Sequence, residues 1–449
     1  MSSAIGSTTA KSELAQWTPE DDAFWTQTGS RIAWTTLAIT TFNLMLAFAT
    51  WFMVSAIVVR LDGVGFPYTT AQLFWLTAMP GLAGGTFRVL HMFLIPIFGT
   101  RNTVTFATLT LLIPCIGWGF AVQNPTTPFA VLLLLAFLAG LGGGNFSSFM
   151  PSTSLFFPKR LQGTALGIQA GVGNLGVSVV QFLVPWMIAA GMLGSLAGES
   201  QTLTTPTGPV EIFLQNAAFL WNPLIVAGAL AAWLLLRNVP VHASFTQQLD
   251  IFKEKHNWVM TSLYIMTFGS FSGFAAIFPL LIKKLYGGFE NGPDALTYAF
   301  LGPLIGSASR IGFGPISDRY GGARMTQISG FGMLACALGV TFFTEPTSLG
   351  QFPGFLACML GLFFFSGIGN ASTFKQIPAI FPPRQAGGVI GWTAAIAAYG
   401  PFLFSILIAW VFEVTGKPTC FFYSIALFYV VNLGLNWWYY ARAGAERPC

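Results

Sequence analysis

The chain has 449 residues, of which 54% are apolar and only 8% charged, with a formal net charge of +5. A soluble domain carries about 25% charged residues. The composition therefore excludes a soluble enzyme or nucleic-acid-binding protein and predicts an all-α integral membrane protein.

The first 30 residues are polar and acidic, with no short apolar run after a basic start, so no cleavable signal peptide is expected. They read as a cytoplasmic tail, 1–32, with a short interfacial helix around 19–26. A bilayer span needs about 20 apolar residues. Twelve such stretches follow, roughly 33–57, 71–98, 103–122, 128–150, 164–190, 214–236, 258–282, 295–316, 325–344, 352–380, 388–412 and 418–441. The polar segment 237–257 divides them into a first set, 33–236, and a second, 258–441, and 442–449 is a second cytoplasmic tail. Fifty glycines predict closely packed, bendable helices, which suits a moving transporter.

Orientation follows the asymmetry of Lys and Arg between loops. Thirteen fall on one side, and four (Arg60, Lys283, Lys284, Lys417) on the other. Both termini are therefore expected in the cytoplasm of a bacterial inner membrane, and the net charge reflects topology rather than nucleic-acid binding. The remaining three cations, Arg88, Arg310 and Lys375, lie within spans that contain no Asp or Glu. A charge at bilayer depth costs about 2.5–3.5 kcal/mol on insertion scales. Uncompensated arginines invite a partner, and the simplest is a permeating anion.

The chain repeats itself. GGGNFSSF at Gly142–Phe149 and GIGNASTF at Gly367–Phe374 agree at five of eight positions, at an offset of 367 − 142 = 225. Arg88 and Arg310 are 310 − 88 = 222 apart, nearly the same offset. Parallel halves related by an axis along the membrane normal predict a major facilitator fold of twelve helices in two pseudo-symmetric six-helix halves. Gly314–Arg324 also fits the G-x-x-x-D-R-x-G-x-x-R turn found after span 8 of many major facilitators. There Asp318 is expected to pair with nearby arginines such as Arg319 and lock one conformation. The first-half counterpart, Ile95–Arg101, lacks the acid.

The repeat would bring Arg88 and Arg310 to opposite walls of one cavity. Two planar guanidinium forks suit a small, planar, oxygen-rich anion; the plainer alternative is that each bonds backbone carbonyls at a broken helix. Tyr264 and Phe268, four apart, share a helix face, and with Phe146 could line the anion's flat faces, although Phe is so common here that packing explains any single one as well. Gly167–Gly176 in span 5 is dense in small residues; its Gln169 and Asn174 must find partners, and Asn174 is the better binding candidate. Gly144, Gly171, Gly173 and Gly369 are assigned to close approach and sliding of helices. Lys375 either snorkels to the cytoplasmic edge or titrates, and His91 titrates near neutral pH. No metal or cofactor site and no catalytic constellation is expected.

The paired Gly-rich signatures, GIQAGVGNLGVSVVQ, the arginines of spans 2 and 8, and the opening WTPEDDAFW together resemble the nitrate/nitrite porter family, and the similarity runs from about Trp17 to Arg442. The resemblance implies that Arg88 and Arg310 clamp nitrate or nitrite, that Phe146 and Phe268 sandwich it, and that Tyr264 and Asn174 add hydrogen bonds during rocker-type alternating access. One branch of the family exchanges nitrate for nitrite, and another takes up nitrate with protons. The short Pro382–Gly388 turn and Lys375 both favour the proton branch; the absence of an embedded acid speaks against it. The expectation is a monomeric nitrate/proton symporter, with nitrate/nitrite exchange as the alternative and an anion sensor or a membrane enzyme as weaker readings.

Overall fold

The computed structural model describes residues 14, 16–92, 94–191, 198–205, 208–239 and 246–449. The expected tail 1–32 and linker 237–257 therefore lie partly outside the described residues.

The N-terminal segment is not a separate interfacial helix. Asp21 caps a short turn, Asp22–Phe24, its Oδ1 accepting from the Ala23 amide at 2.9 Å. That turn passes through a π-helical turn, Trp25–Gly29, straight into the first long helix, Ser30–Leu61. The segment is held down on the facing ends of the helices Phe146–Phe156 and Lys159–Ala189. Trp17 Nε1 donates to Leu155 O at 3.0 Å, and Arg160 pairs with Asp22 at 2.5 Å.

Nine helical segments among the described residues are long and apolar enough to cross a membrane, against the twelve expected. The other three expected spans correspond to the helices Thr70–His91, Leu301–Tyr320 and Gly322–Thr341. The first two carry Arg88 and Arg310, and glycines and polar residues dilute all three. The expected span 71–98 stops at His91, and the chain bends again at Gly99, whose φ of 74° breaks the helical path. Between the helices Lys159–Ala189 and Asn222–Leu235 lies a two-stranded antiparallel hairpin, Gln201–Thr205 with Gly208–Ile212. Its Leu203 is buried against the turn at Gly63, which anchors the hairpin to the end of the first helix.

Prolines sit inside many spans, among them Pro80, Pro151, Pro279, Pro315 and Pro378. Each removes a backbone donor and bends its helix. Glycines then let the bent helices touch. A Cβ on Gly142 would lie 2.0 Å from Ala47 O, and one on its repeat counterpart Gly367 would lie 2.2 Å from Gly306 O. Neither position accepts a side chain without moving a helix.

Hydrogen bonds join the two helix sets along one end of the bundle. Thr77 donates to Ser405 at 3.0 Å, Ser178 to Phe300 O at 2.9 Å and Gln181 to Ala275 O at 2.9 Å. At the extreme of that end Arg60 pairs with Asp294 at 2.5 Å and Lys283 with Asp62. At the opposite end the side chains of Lys375 and Asp318 are 47% and 61% exposed.

Candidate anion-binding site

Arg88 is fully buried near the end of its helix, Thr70–His91, whose start is fixed by a capping box between Thr69 and Gln72. Two of its nitrogens are spoken for. Nε donates to Gly143 O at 2.9 Å, and Nη1 donates to Ala394 O, across the bundle, at 2.6 Å. The third, Nη2, is buried with no partner. The backbone stays right-handed helical at Asn145 (φ −57°, ψ −26°), two residues after the Gly143 carbonyl that accepts from Arg88, so that carbonyl lies within the long helix Phe129–Phe156. The carbonyl-bonding alternative thus holds for part of Arg88, while one donor remains uncommitted.

Rings enclose this guanidinium. Its carbon lies 4.6 Å from the Phe146 centroid, 5.2 Å from Phe268 and 5.4 Å from Trp51. Cation–π contact of this kind stabilises a desolvated cation. Phe146 in turn stacks on Phe48 at 6.1 Å. The two phenylalanines expected to sandwich an anion therefore both face Arg88.

Arg310, on the helix Leu301–Tyr320, is 8% exposed. Its Nη1 is buried without a partner, and its guanidinium lies 5.4 Å from the Phe374 ring. Between the arginines runs a stack of rings. Tyr264 lies parallel to Phe268 at 5.4 Å and 7°, and to Phe374 at 4.5 Å and 18°. The Tyr264 hydroxyl is buried and makes no hydrogen bond of acceptable geometry, yet it lies within electrostatic reach of Arg310 and Arg88. The two arginines also repel each other directly. A π-helical turn, Ile265–Gly269, sets the stagger of Tyr264 and Phe268; such turns recur at functional sites.

The remaining expected residues divide. Both amide atoms of Asn174 are buried and unpaired, whereas the Gln169 amide nitrogen donates to Thr40 Oγ1 and Phe149 O and only its Oε1 is left unpaired. The helix bearing Asn174 packs on the Arg310 helix, where a Cβ on Gly171 would lie 2.6 Å from Ile311. Gly144, Gly173 and Gly369 are likewise pressed against Phe87, Leu44 and Thr267. His91 bonds Ser148 at 3.0 Å and stays inside the first helix set. Lys375 pairs with Asp318 at 2.6 Å. That pair replaces the expected one between Asp318 and its neighbouring arginines. Asp318 and Arg319 are adjacent on a helix and diverge, and Arg319 lies over Tyr320 instead, 5.6 Å from its ring.

Asn145 and Asn370, equivalent in the repeat, were missed. All four of their amide atoms are buried and unpaired, as are the hydroxyls of Ser147, Thr267 and Ser307. Buried polar groups are nearly always hydrogen-bonded, so this concentration of orphans marks a polar interior. The signal was present, since Asn is one of the five positions the two octapeptides share. Trp51 and Phe374 were also missed, and only the folded geometry brings them to the arginines.

Comparison with known proteins identifies the family. The profile described as Major Facilitator Superfamily matches residues 36–374. The "Probable nitrate/nitrite antiporter NarK2" of Thermus thermophilus is 64% identical over 97% of this chain and 98% of its own length. The "Nitrate/nitrite transporter NarU" of Salmonella typhimurium is 40% identical over 96% of each chain. Among solved structures, a bacterial homologue of the human lysosomal transporter Spinster, inward-facing and occupied, superposes with a TM-score of 0.64 at 15% identity, covering 89% of this chain and 95% of that one. The nucleoside transporter NupG gives 0.63 at 12% identity, covering 89% and 98%. These two show the fold alone. The chain therefore belongs to the NarK-type nitrate/nitrite porter family of the major facilitator superfamily, a family of membrane transporters rather than enzymes.

Proposed function

We propose that this protein carries nitrate across the bacterial inner membrane in exchange for nitrite, by alternating access between the halves 33–236 and 258–441. The observation that carries this reading is the pair of buried, unpaired donors, Arg88 Nη2 and Arg310 Nη1, with the orphan Tyr264 hydroxyl near both. A planar oxyanion supplies acceptors for all three. Its single charge offsets part of the cost of two desolvated cations. Asn174, Asn145 and Asn370 supply neutral donors for further oxygens. The anion's flat faces meet Phe146 and Phe268.

The charge balance also favours exchange. Both central cations are arginines, which do not release protons, and an empty carrier must reorient around them with their charge unbalanced at bilayer depth. Return is easier with a second anion, and nitrite has the same charge and a similar shape. The names of the similar proteins support these substrates. The cross-bundle bonds gathered at the Arg60 and Lys283 end close that end, and the Lys/Arg excess on the other side favours cytoplasmic termini, so together they support an inward-facing arrangement.

Proton symport is the second reading, favoured by Lys375 and Asp318, a titratable pair at the opposite end. Liposomes distinguish the two. Exchange predicts nitrate entry that requires trapped nitrite or nitrate and ignores an imposed pH gradient. Entry into anion-free liposomes driven by a pH gradient, and lost in Lys375→Gln, would overturn exchange in favour of symport.

A further inference from the structure

A groove between the helices Leu94–Leu109 and Asn222–Leu235 lies on the outer surface of the bundle, away from the arginines. It holds about 270 Å³ and is lined by Thr105, Phe106, Leu109, Val226, Leu230 and Trp233, among others. Phe106 is 60% exposed and Leu230 54%. On a membrane-spanning surface, large apolar side chains exposed to this degree face acyl chains.

The end of this groove is basic. Arg101 donates through Nε to Trp233 O at 2.6 Å, and its guanidinium lies 3.8 Å from the Trp233 ring centroid. Its backbone N–H donates to Asn238 Oδ1 at 2.9 Å, which brings the adjacent, exposed Arg237 to the same end. Neither arginine forms an ion pair among the described residues. Arg101 belongs to the turn Ile95–Arg101, which lacks the acid found at Asp318 in the second half. One bond through Nε and a ring contact thus fix the Arg101 guanidinium at the interface, and both of its terminal nitrogens are unbonded among the described residues. A planar fork with no carboxylate partner suits a phosphate diester.

We propose that this groove binds an anionic phospholipid, with one acyl chain lying along Phe106 and Trp233 and the headgroup phosphate on Arg101 and Arg237. The apolar wall selects a chain, and the two cations select a net negative headgroup over a zwitterionic one. Juxtamembrane basic residues favour anionic lipid by about fivefold each.

The test uses the full-length protein in bilayers doped with brominated lipid, which quenches nearby tryptophan. The Trp233 contribution is the difference in quenching between the unsubstituted protein and Trp233→Phe. Brominated phosphatidylglycerol is expected to quench Trp233 at a several-fold lower mole fraction than brominated phosphatidylcholine. Arg101→Gln with Arg237→Gln is expected to abolish that preference, and Arg101→Lys to keep most of it. Equal quenching by the two lipids, or a preference that survives the double substitution, would overturn the proposal. Retained nitrate binding in each variant verifies that the bundle is folded.

Discussion

The two octapeptides Gly142–Phe149 and Gly367–Phe374 share five residues, yet they support their arginines differently. In the first, the Gly143 carbonyl accepts from Arg88. In the second, on the helix Phe352–Ile380, no described carbonyl accepts from Arg310, whose Nη1 is unpaired. Arg88 is pinned by two carbonyls and three rings, while Arg310 meets the single ring of Phe374. The repeat therefore produces a fixed cation and a less committed one. A carrier benefits from such a division, because one wall can define the anion's position while the other engages and releases it as the halves rock.

The sharpest way to break this comparison is to remove each anchor. Arg88→Ala strands the Gly143 and Ala394 carbonyls in a buried setting, at about 1–3 kcal/mol each, and loses the packing of a large side chain. A marked fall in thermal stability is expected in detergent. Arg310→Ala strands no described carbonyl, so its melting temperature is expected to fall much less. Equal losses in the two variants would remove the distinction between pinned and free arginines. Tyr264→Phe deletes an orphan hydroxyl while keeping the ring stack. It is expected to leave stability unchanged or slightly raised, and to weaken nitrate binding by about 1 kcal/mol, roughly fivefold, in a tryptophan-fluorescence titration. The smallest effect belongs to the outer ion pairs. Asp62→Asn removes the partner of Lys283 and Lys284, and exposed pairs are worth less than about 1 kcal/mol. It is expected to shift the carrier modestly toward outward opening, read as faster labelling of a cysteine introduced at the outer end.

The sequence made the class of protein legible, because twelve apolar stretches and an internal repeat are written in composition and spacing. Nine spans pass on length and apolarity; two of the other three carry Arg88 and Arg310, and glycines and polar residues make all three less apolar. The arginine pair was legible because a buried charge is costly wherever the helix bends. What each arginine bonds was not, since Gly143 O and Ala394 O are backbone atoms that any residue supplies. Phe374 is one of the five positions the octapeptides share, but among 45 phenylalanines packing explained it as well as a site did. The pairing of Lys375 with Asp318 was missed because it depends on two helices lying side by side, whereas the local motif pointed to neighbouring arginines.

The central claim is that both arginines hold one planar oxyanion through more than their charge. Nitrate titration of Arg310→Lys tests it most directly, because that substitution keeps the positive charge and disturbs no described backbone bond. A charge-assisted hydrogen bond is worth about 1.5–3 kcal/mol, so nitrate affinity should fall by roughly 10- to 100-fold with little change in melting temperature. Unchanged nitrate affinity in a folded Arg310→Lys protein would contradict the account.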